Sequence, residues 1–473
     1  MKSPTKCWLA LTLLIMVLVL ATLLLRARWQ AWFGNEPEDP YETEAIIDRL
    51  TLTPGANFLS ERTLSWRYSD VLTESSFEYA PLTNNNSVDS TRWTKVEPET
   101  TLARSRSGAG YYFHVRLTRL TPGRTYQYII RQGADSLSGT FSIPTGLDTL
   151  TRLVYLGDIQ DPNGELSQRV LPTFDELQAS DSAAHFFALA GDQLEGPSDK
   201  YWQVWYSSWS KGFLARTPFI LSTGNHEYLK RGFGRELDPR WVPQYNYPTN
   251  GPKDFEGRTY YVDFPLVRFI VLDSNGINSP ADILRHRSWL RGVLEGSSQR
   301  WQIVMFHHAV HSVREGRNNP IMRYVYKPIL DEYGADLVLQ GHDHAYSRIT
   351  TKTTSGEKTT PVYIISTSSP KVYRNEFDDK HDKLGSGLQL YQTIELRHES
   401  LSYRSYLYSG ELYDEFRIHY AGREATCHEV EDLGVGIPER FEFNAFGQGS
   451  RAEQKANRYR AATQERISKN LSR

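Results

Sequence analysis

Leu337-Val338-Leu339-Gln340-Gly341-His342-Asp343-His344 sets a short, largely apolar run directly before two histidines and an aspartate. A run apolar on both faces suits a strand covered on both sides. Two histidines in so small a loop are costly to bury unless bonded or ligated. The same grammar recurs upstream. Leu153-Val154-Tyr155-Leu156 leads to Gly157-Asp158, and Phe186-Phe187-Ala188-Leu189-Ala190 leads to Gly191-Asp192. Phe219-Ile220-Leu221 leads through Ser222-Thr223 to Gly224-Asn225-His226-Glu227, and Ile303-Val304-Met305-Phe306 leads to His307-His308. In α/β sheets, ligands gather where the strands end. A glycine ahead of the ligand lets the backbone turn sharply and come close to an ion or phosphate. A single Gly-Asp is only a common turn. Five distant runs of this form deliver aspartates, an asparagine and histidines to one crevice.

The rest of the composition narrows the classes. The chain has 473 residues, enough for two or three domains, and 39% apolar with 12% aromatic residues marks a folded globular protein. Lys plus Arg number 54 against 56 Asp plus Glu, so no basic excess points to nucleic acid and no such scaffold role is expected. The two cysteines, Cys7 and Cys427, exclude a disulfide framework and a cysteine-rich zinc site.

Residues 1–30 carry an apolar run, Trp8 to Leu25, broken only by Thr12 and Thr22. As a helix it spans roughly 27 Å, close to the hydrocarbon thickness of a bilayer. The run ends in Leu25-Arg26-Ala27-Arg28-Trp29 without a small-x-small cleavage site, which favours an uncleaved signal anchor over a removed signal. Lys2 and Lys6 face Arg26 and Arg28 across it, so charge leaves the orientation open. The expected location is membrane-anchored or secreted, with the folded part extracytoplasmic, periplasmic if bacterial. Residues 31–46, with Asn35-Glu36-Pro37-Glu38-Asp39-Pro40, read as a solvated acidic linker.

Residues 47–146 read as an all-β sandwich of seven strands. Arg62–Tyr68, Tyr111–Leu117 and Thr125–Ile130 are rich in β-branched and aromatic residues between turn signals. Leu120-Thr121-Pro122-Gly123-Arg124-Thr125-Tyr126 has the form of a tyrosine corner.

With the five runs in this order and a sandwich before them, the chain resembles the calcineurin-like metallophosphoesterases. Within them it is similar to the purple acid phosphatases of the bacterial type with an N-terminal fibronectin type III-like domain. Trp301-Gln302-Ile303-Val304-Met305-Phe306-His307 and Ala335 through Tyr346 match as phrases, and Leu390–Ile418 resembles the family's closing strands. The resemblance covers roughly residues 50 to 420. It implies a four-layer α/β/β/α catalytic domain over 150–420, leaving 421–473 as a C-terminal extension whose residues 451–473 read as an exposed helix or frayed tail. It also implies two metal ions, drawn from iron, zinc or manganese. Asp158, Asp192 and His344 would hold the first, and Asp192, Asn225, His307 and His342 the second.

Two departures stand out. Glu195 occupies the position where the purple enzymes carry a tyrosine ligand to ferric iron, and Gln160 stands where many other relatives carry a histidine. Either residue is a candidate additional ligand, and the protein is expected not to be purple. The implied activity is hydrolysis of a phosphate monoester, acid-phosphatase-like, with hydroxide held between two metals attacking phosphorus. His226 is the expected proton donor or phosphate contact. His308, His311, Tyr346 and Arg348, with Arg314, are candidate substrate contacts on nearness in sequence alone. A phosphodiesterase or nucleotide hydrolase using the same ions, or an inactive phosphate-binding protein, remain as alternatives. Trp202, Trp205, Tyr206 and Trp209 at helical spacing predict a core-facing helix. The proline-rich stretch 231–259 reads as a long loop near the mouth, and 375–387 as a charged mobile loop.

Overall fold

A computed structural model of the chain describes residues 4–83, 87–88, 92–422, 427–442 and 448–471. The apolar run forms a 30-residue helix, Pro4–Phe33. Its stretch Leu11–Trp29 is 19 residues long, apolar enough to cross a membrane, and wholly unburied. The Thr12 and Thr22 hydroxyls donate to the carbonyls of Trp8 and Leu18, so the two polar interruptions are satisfied inside the helix. Lys2, which entered the flanking-charge reading, lies outside the described residues.

The acidic linker stays largely exposed but is docked through Glu38. Glu38 is buried, accepting the Asp199 N–H at 2.9 Å and pairing with Arg240 at 2.7 Å. Its carboxylate is one part of a buried ion cluster between the two domains. Asp199 of the catalytic domain receives Arg49 at 2.7 Å and Arg67 at 2.9 Å from the sandwich.

Alternating apolar residues build the sandwich from two antiparallel four-stranded sheets. One runs Asp48–Pro54, Arg62–Tyr68, Ala109–Leu117, Glu99–Arg104, and the other Thr94–Val96, Ser75–Pro81, Thr125–Gln132, Asp135–Ser142. There are eight strands among the described residues, where seven were expected. The extra one, Thr94–Val96, is a three-residue edge strand with no buried side to leave a pattern. The Tyr126 hydroxyl accepts the Thr121 N–H at 2.8 Å, forming the expected corner.

The remaining strands form one continuous 14-stranded sheet folded on itself, apart from a two-stranded hairpin, Tyr228–Arg231 with Gly234–Leu237. One half runs Phe219–Leu221, Phe186–Leu189, Thr151–Leu156, Leu390–Leu396, Ser400–Leu407, Leu412–His419, Glu429–Asp432. The other holds Lys358–Ile365, Leu337–Gln340, Trp301–Met305 and Val267–Val271 in parallel, edged by Tyr260–Asp263, while Ala345–Lys352 and then Lys383–Ser386 branch antiparallel from Lys358–Ile365. A single residue pair, Thr359 with Glu429, joins the halves, so the sheet continues past residue 420. Tyr155 and Ile394 of the first half share a core with Met305 and Leu339 of the second, which places the halves face to face. On the outer side, Val304 and Val338 pack with Leu290 and Leu330 from the helices Pro280–Glu295 and Lys327–Glu332. Phe174 and Trp202, from the helices Glu165–Ala179 and Asp199–Ser207, belong to the core around the first half. These are the layers of the α/β/β/α domain. They explain the two-sided apolar runs, because each residue on alternate faces meets either the other sheet or a helix. Each fully buried large side chain contributes roughly 1.5–3 kcal/mol.

Two stretches differ from expectation. Residues 231–259 are not one long loop. They include the helix Trp241–Tyr245, with Trp241, Tyr245 and Tyr247 buried, and Gln244 donates to the Arg49 carbonyl at 2.8 Å. The aromatics between the prolines are mortar between the domains. Residues 375–387 include the strand Lys383–Ser386 and are held down by the C-terminal helix Ser450–Leu471. Arg466 pairs with Glu439 at 2.9 Å and donates to the His381 carbonyl at 2.8 Å, and the Tyr459 hydroxyl accepts the Asn375 N–H at 3.0 Å. That helix is docked along one face and is not a frayed tail.

Candidate metal centre

Asp158, Asp192, His307, His342 and His344 all sit in the turns that follow strands of the folded sheet. Four of them have left-handed backbones, with φ of +40° at Asp158, +51° at Asp192, +75° at His342 and +44° at His344. Each such non-glycine residue costs of order 1–3 kcal/mol, and strain of this kind collects where a site demands it. Gly224 has a steric reason to be glycine: a Cβ there would run into the Asp192 carboxylate and amide.

Two groups of side chains converge and share Asp192. Asp192, His307 and His342 each offer a ligand atom within 4.8 Å of the others, and so do Asp158, Asp192 and His344. His307 Nε2 is 3.2 Å from Asp192 Oδ2, 3.2 Å from Asn225 Oδ1 and 3.0 Å from His342 Nδ1. His307 Nδ1 faces the Ala190 carbonyl at 2.8 Å, which fixes its tautomer and turns Nε2 into the crevice.

The donor set fits metal ions. Both carboxylate oxygens of Asp158 and the Nδ1 of His344 are buried without a hydrogen-bond partner. Burial pushes the Asp158 carboxyl well above its usual range, against the pull of His307 and the His342 backbone. Burial also opposes charging His307, yet Asp192 and Asp158 beside it lift it to about 9. Burial holds His344 at about 3, a neutral imidazole able to ligate. Buried carboxylates with open lone pairs beside the neutral imidazoles of His342 and His344 answer to a cation.

The loops are braced from behind. Glu227 accepts three backbone N–H groups, from Asp192 at 3.0 Å, Leu194 at 3.1 Å and Gly224 at 2.6 Å. His226 donates its backbone N–H to Asp192 Oδ1 at 2.9 Å, and its ring Nδ1 faces the Glu195 carbonyl at 2.5 Å. Its Nε2 is 3.9 Å from Asp192 Oδ2, at the open side of the crevice. His308 sits in the same crevice, with its ring 4.4 Å from that of His342 and Nδ1 3.0 Å from the Ser274 hydroxyl.

Three expected substrate contacts are placed elsewhere. Tyr346 and Arg348 are buried in the sheet interior, both bonded to Asp414, and Arg348 also pairs with Asp432 at 3.0 Å. Their strand alternates between the two buried faces, so neither opens to a ligand. His311 lines a separate cavity of about 370 Å³ with Arg317, Arg323, Lys380 and His381. Arg314 lies over the Tyr373 ring at 3.8 Å, and that ring sits 4.9 Å from His344. The fold adds residues that sequence reading missed. Arg317 donates to the His342 carbonyl at 2.6 Å and pairs with Asp343 at 2.8 Å. Lys371 pairs with Glu195 at 2.6 Å. Both lie several residues beyond the ends of the preceding strands Trp301–Met305 and Lys358–Ile365, so the pattern of a run ending in a ligand did not mark them.

The fold is a β-sandwich followed by a metallophosphoesterase domain. Residues 151–346 match the calcineurin-like phosphoesterase model, and residues 47–145 match the purple acid phosphatase N-terminal domain. The chain therefore joins a purple acid phosphatase N-terminal domain to a calcineurin-like phosphoesterase domain. It is 26% identical over 261 residues to Fe(3+)-Zn(2+) purple acid phosphatase 12 of Arabidopsis thaliana, covering 51% of this chain and 52% of that protein. It is 23% identical over 293 residues to purple acid phosphatase 17 of the same plant, covering 51% and 82%. It thus spans about half the length of the first and most of the second. The fold is shared with the purple acid phosphatase PPD1 from yellow lupin (Lupinus luteus) seeds, at TM-score 0.63, 15% identity, and 79% and 74% of the two chains.

Proposed function

We propose that this chain hydrolyses phosphate monoesters at a binuclear metal centre. The observation that carries the reading is the single carboxylate, Asp192, shared by two otherwise separate ligand groups. Asp158, Asp192 and His344 would hold the first ion, and Asp192, Asn225, His307 and His342 the second. When bound, such a pair supplies Lewis acidity and an activated water at neutral pH. Oxygen and imidazole donors suit iron, zinc or manganese alike. The remaining work falls to the chain. Glu227 fixes the Asp192 backbone through the three amides it accepts, which sets the angle of the shared carboxylate. With Nδ1 engaged by the Glu195 carbonyl, His226 presents Nε2 to the leaving oxygen and delivers a proton there. The sandwich, read as fibronectin type III-like, braces this domain through Asp199. The apolar N-terminal helix serves as an anchor that keeps the catalytic domain outside the cytoplasm.

The test uses the full chain in detergent, stripped of metal and reloaded separately with zinc, manganese or iron. Metal-dependent turnover of an aryl phosphate monoester above the matching diester supports the reading. Preference for the diester makes it a phosphodiesterase, and no turnover of either with both ions bound overturns hydrolysis as its function. The iron-loaded protein should lack the intense visible absorbance of a phenolate ligand.

A further inference from the structure

Gln160 and Glu195, the two residues that depart from the motif series, converge on one cation. Lys371 Nζ lies 2.6 Å from Glu195 Oε1. It also lies 3.1 Å from the Gln160 amide oxygen, in the orientation of that amide that lets its nitrogen donate to the Asp192 carbonyl at 3.3 Å. Gln160 is fully buried, and its own N–H donates to the Asp192 carbonyl at 3.0 Å. Glu195 keeps its second oxygen, Oε2, buried without a hydrogen-bond partner. Lys371 arrives on the loop after the strand Lys358–Ile365, where its N–H donates to the Ser369 hydroxyl at 3.1 Å. Two residues on, Tyr373 lays its ring against His344. One short loop therefore reaches Gln160, Glu195 and His344. The lysine is near enough for its charge to act against a charge on His344.

An ordinary surface ion pair would contribute about 0–1 kcal/mol and mean nothing more. Three observations separate this pair from that case. Its side chains are only 29% and 21% exposed. A buried amide oxygen is a second acceptor for the ammonium, and the carboxylate retains a buried oxygen without a hydrogen-bond partner.

We infer that Lys371 stands in for a further ligand at the Asp158–Asp192–His344 position, holding Glu195 out of the ligand set and making that position the weaker of the two metal sites. The inference rests on the binuclear reading above. Repulsion from a fixed ammonium scales with the charge of the ion, so the position also discriminates against trivalent ions. Glu195 is a latent ligand, released when the lysine is removed.

The test is calorimetric titration of Zn²⁺ into the metal-stripped full chain, with metal content measured after gel filtration. Wild type should show two sites of different affinity, and Asp158→Asn should lose the weaker. Lys371→Met should tighten the weaker site by about tenfold or more while moving the tighter one less than about threefold. Adding Glu195→Gln to Lys371→Met should return the weaker site to near its wild-type affinity. An unchanged or weakened site in Lys371→Met overturns the inference with the binuclear reading intact. A double variant that stays as tight as Lys371→Met overturns the latent-ligand role. A wild-type chain that binds no Zn²⁺ overturns both, and is told apart by its failure before any substitution.

Discussion

Asp192 Oδ2 lies 3.2 Å from His307 Nε2, while the other oxygen of the same carboxylate accepts the His226 N–H at 2.9 Å. One side chain thus touches the second ligand group, belongs to the first, and fixes the backbone of the proposed proton donor. This follows from geometry that the sequence hides: Asp192 and His307 leave strands in opposite halves of the folded sheet, whose ends meet only when the halves pack face to face.

His226 should matter for turnover more than for metal. His226→Asn is expected to lower kcat by about 10²- to 10⁴-fold and to leave the metal content of the purified chain unchanged. Steady-state kinetics beside elemental analysis checks this. A variant that loses metal in step with activity would make His226 a structural support for Asp192.

Asp199 holds the domains together. It faces Arg49 and Arg67, whose side chains are 2% and 6% exposed, so Asp199→Ala takes the carboxylate from buried Arg49 and leaves Arg67 with Asp48 alone. Breaking a buried pair in this way costs about 3–5 kcal/mol. Calorimetry should show a large fall in Tm, or a separate transition for the sandwich. A shift within error would mean that Asp48 and Glu38 carry the cluster without it.

The tyrosine corner is a smaller effect confined to stability. Tyr126→Phe removes one hydrogen bond, worth about 0.5–1.5 kcal/mol, and should lower Tm by a few degrees with kcat/KM unchanged. Loss of activity at temperatures where the variant is folded would contradict a purely structural sandwich.

Asp336 supplies a pH dependence away from the metals. Burial pushes its carboxyl up to about 8, against the pull of the Gln302 N–H, which it accepts at 2.7 Å. An unfolded aspartate titrates near about 3.9. Between those values the folded chain binds more protons than the unfolded one. The contribution of Asp336 to stability is therefore full below about pH 4 and is lost as pH rises through about 8. Asp336→Asn removes the titration, so its Tm relative to wild type should climb from about pH 5 to about pH 8. A difference that stays flat across this range would contradict the assignment.

Much of the catalytic domain was legible because its strands are covered on both sides, and five two-sided apolar runs ending in ligand residues survive in any register. The tyrosine corner was legible for a similar reason, since a loop of seven residues closes on itself. What failed was inference from nearness in sequence. Tyr346 and Arg348 follow a ligand loop closely, yet the chain has already re-entered a buried strand. Glu38 looked solvated because its partners, Arg240 and Asp199, lie in another domain. Lys371 was invisible because an ion pair between distant loops leaves no periodicity.

The central claim is that Asp192 is shared between two metal ions. Elemental analysis of gel-filtered wild type and Asp192→Asn, both loaded with excess zinc and checked for native circular dichroism, tests it most directly. The account predicts about two ions per wild-type chain and less than about one in the variant, since both sites lose a carboxylate ligand. A wild-type chain without metal, or a variant that keeps the full complement, would contradict it.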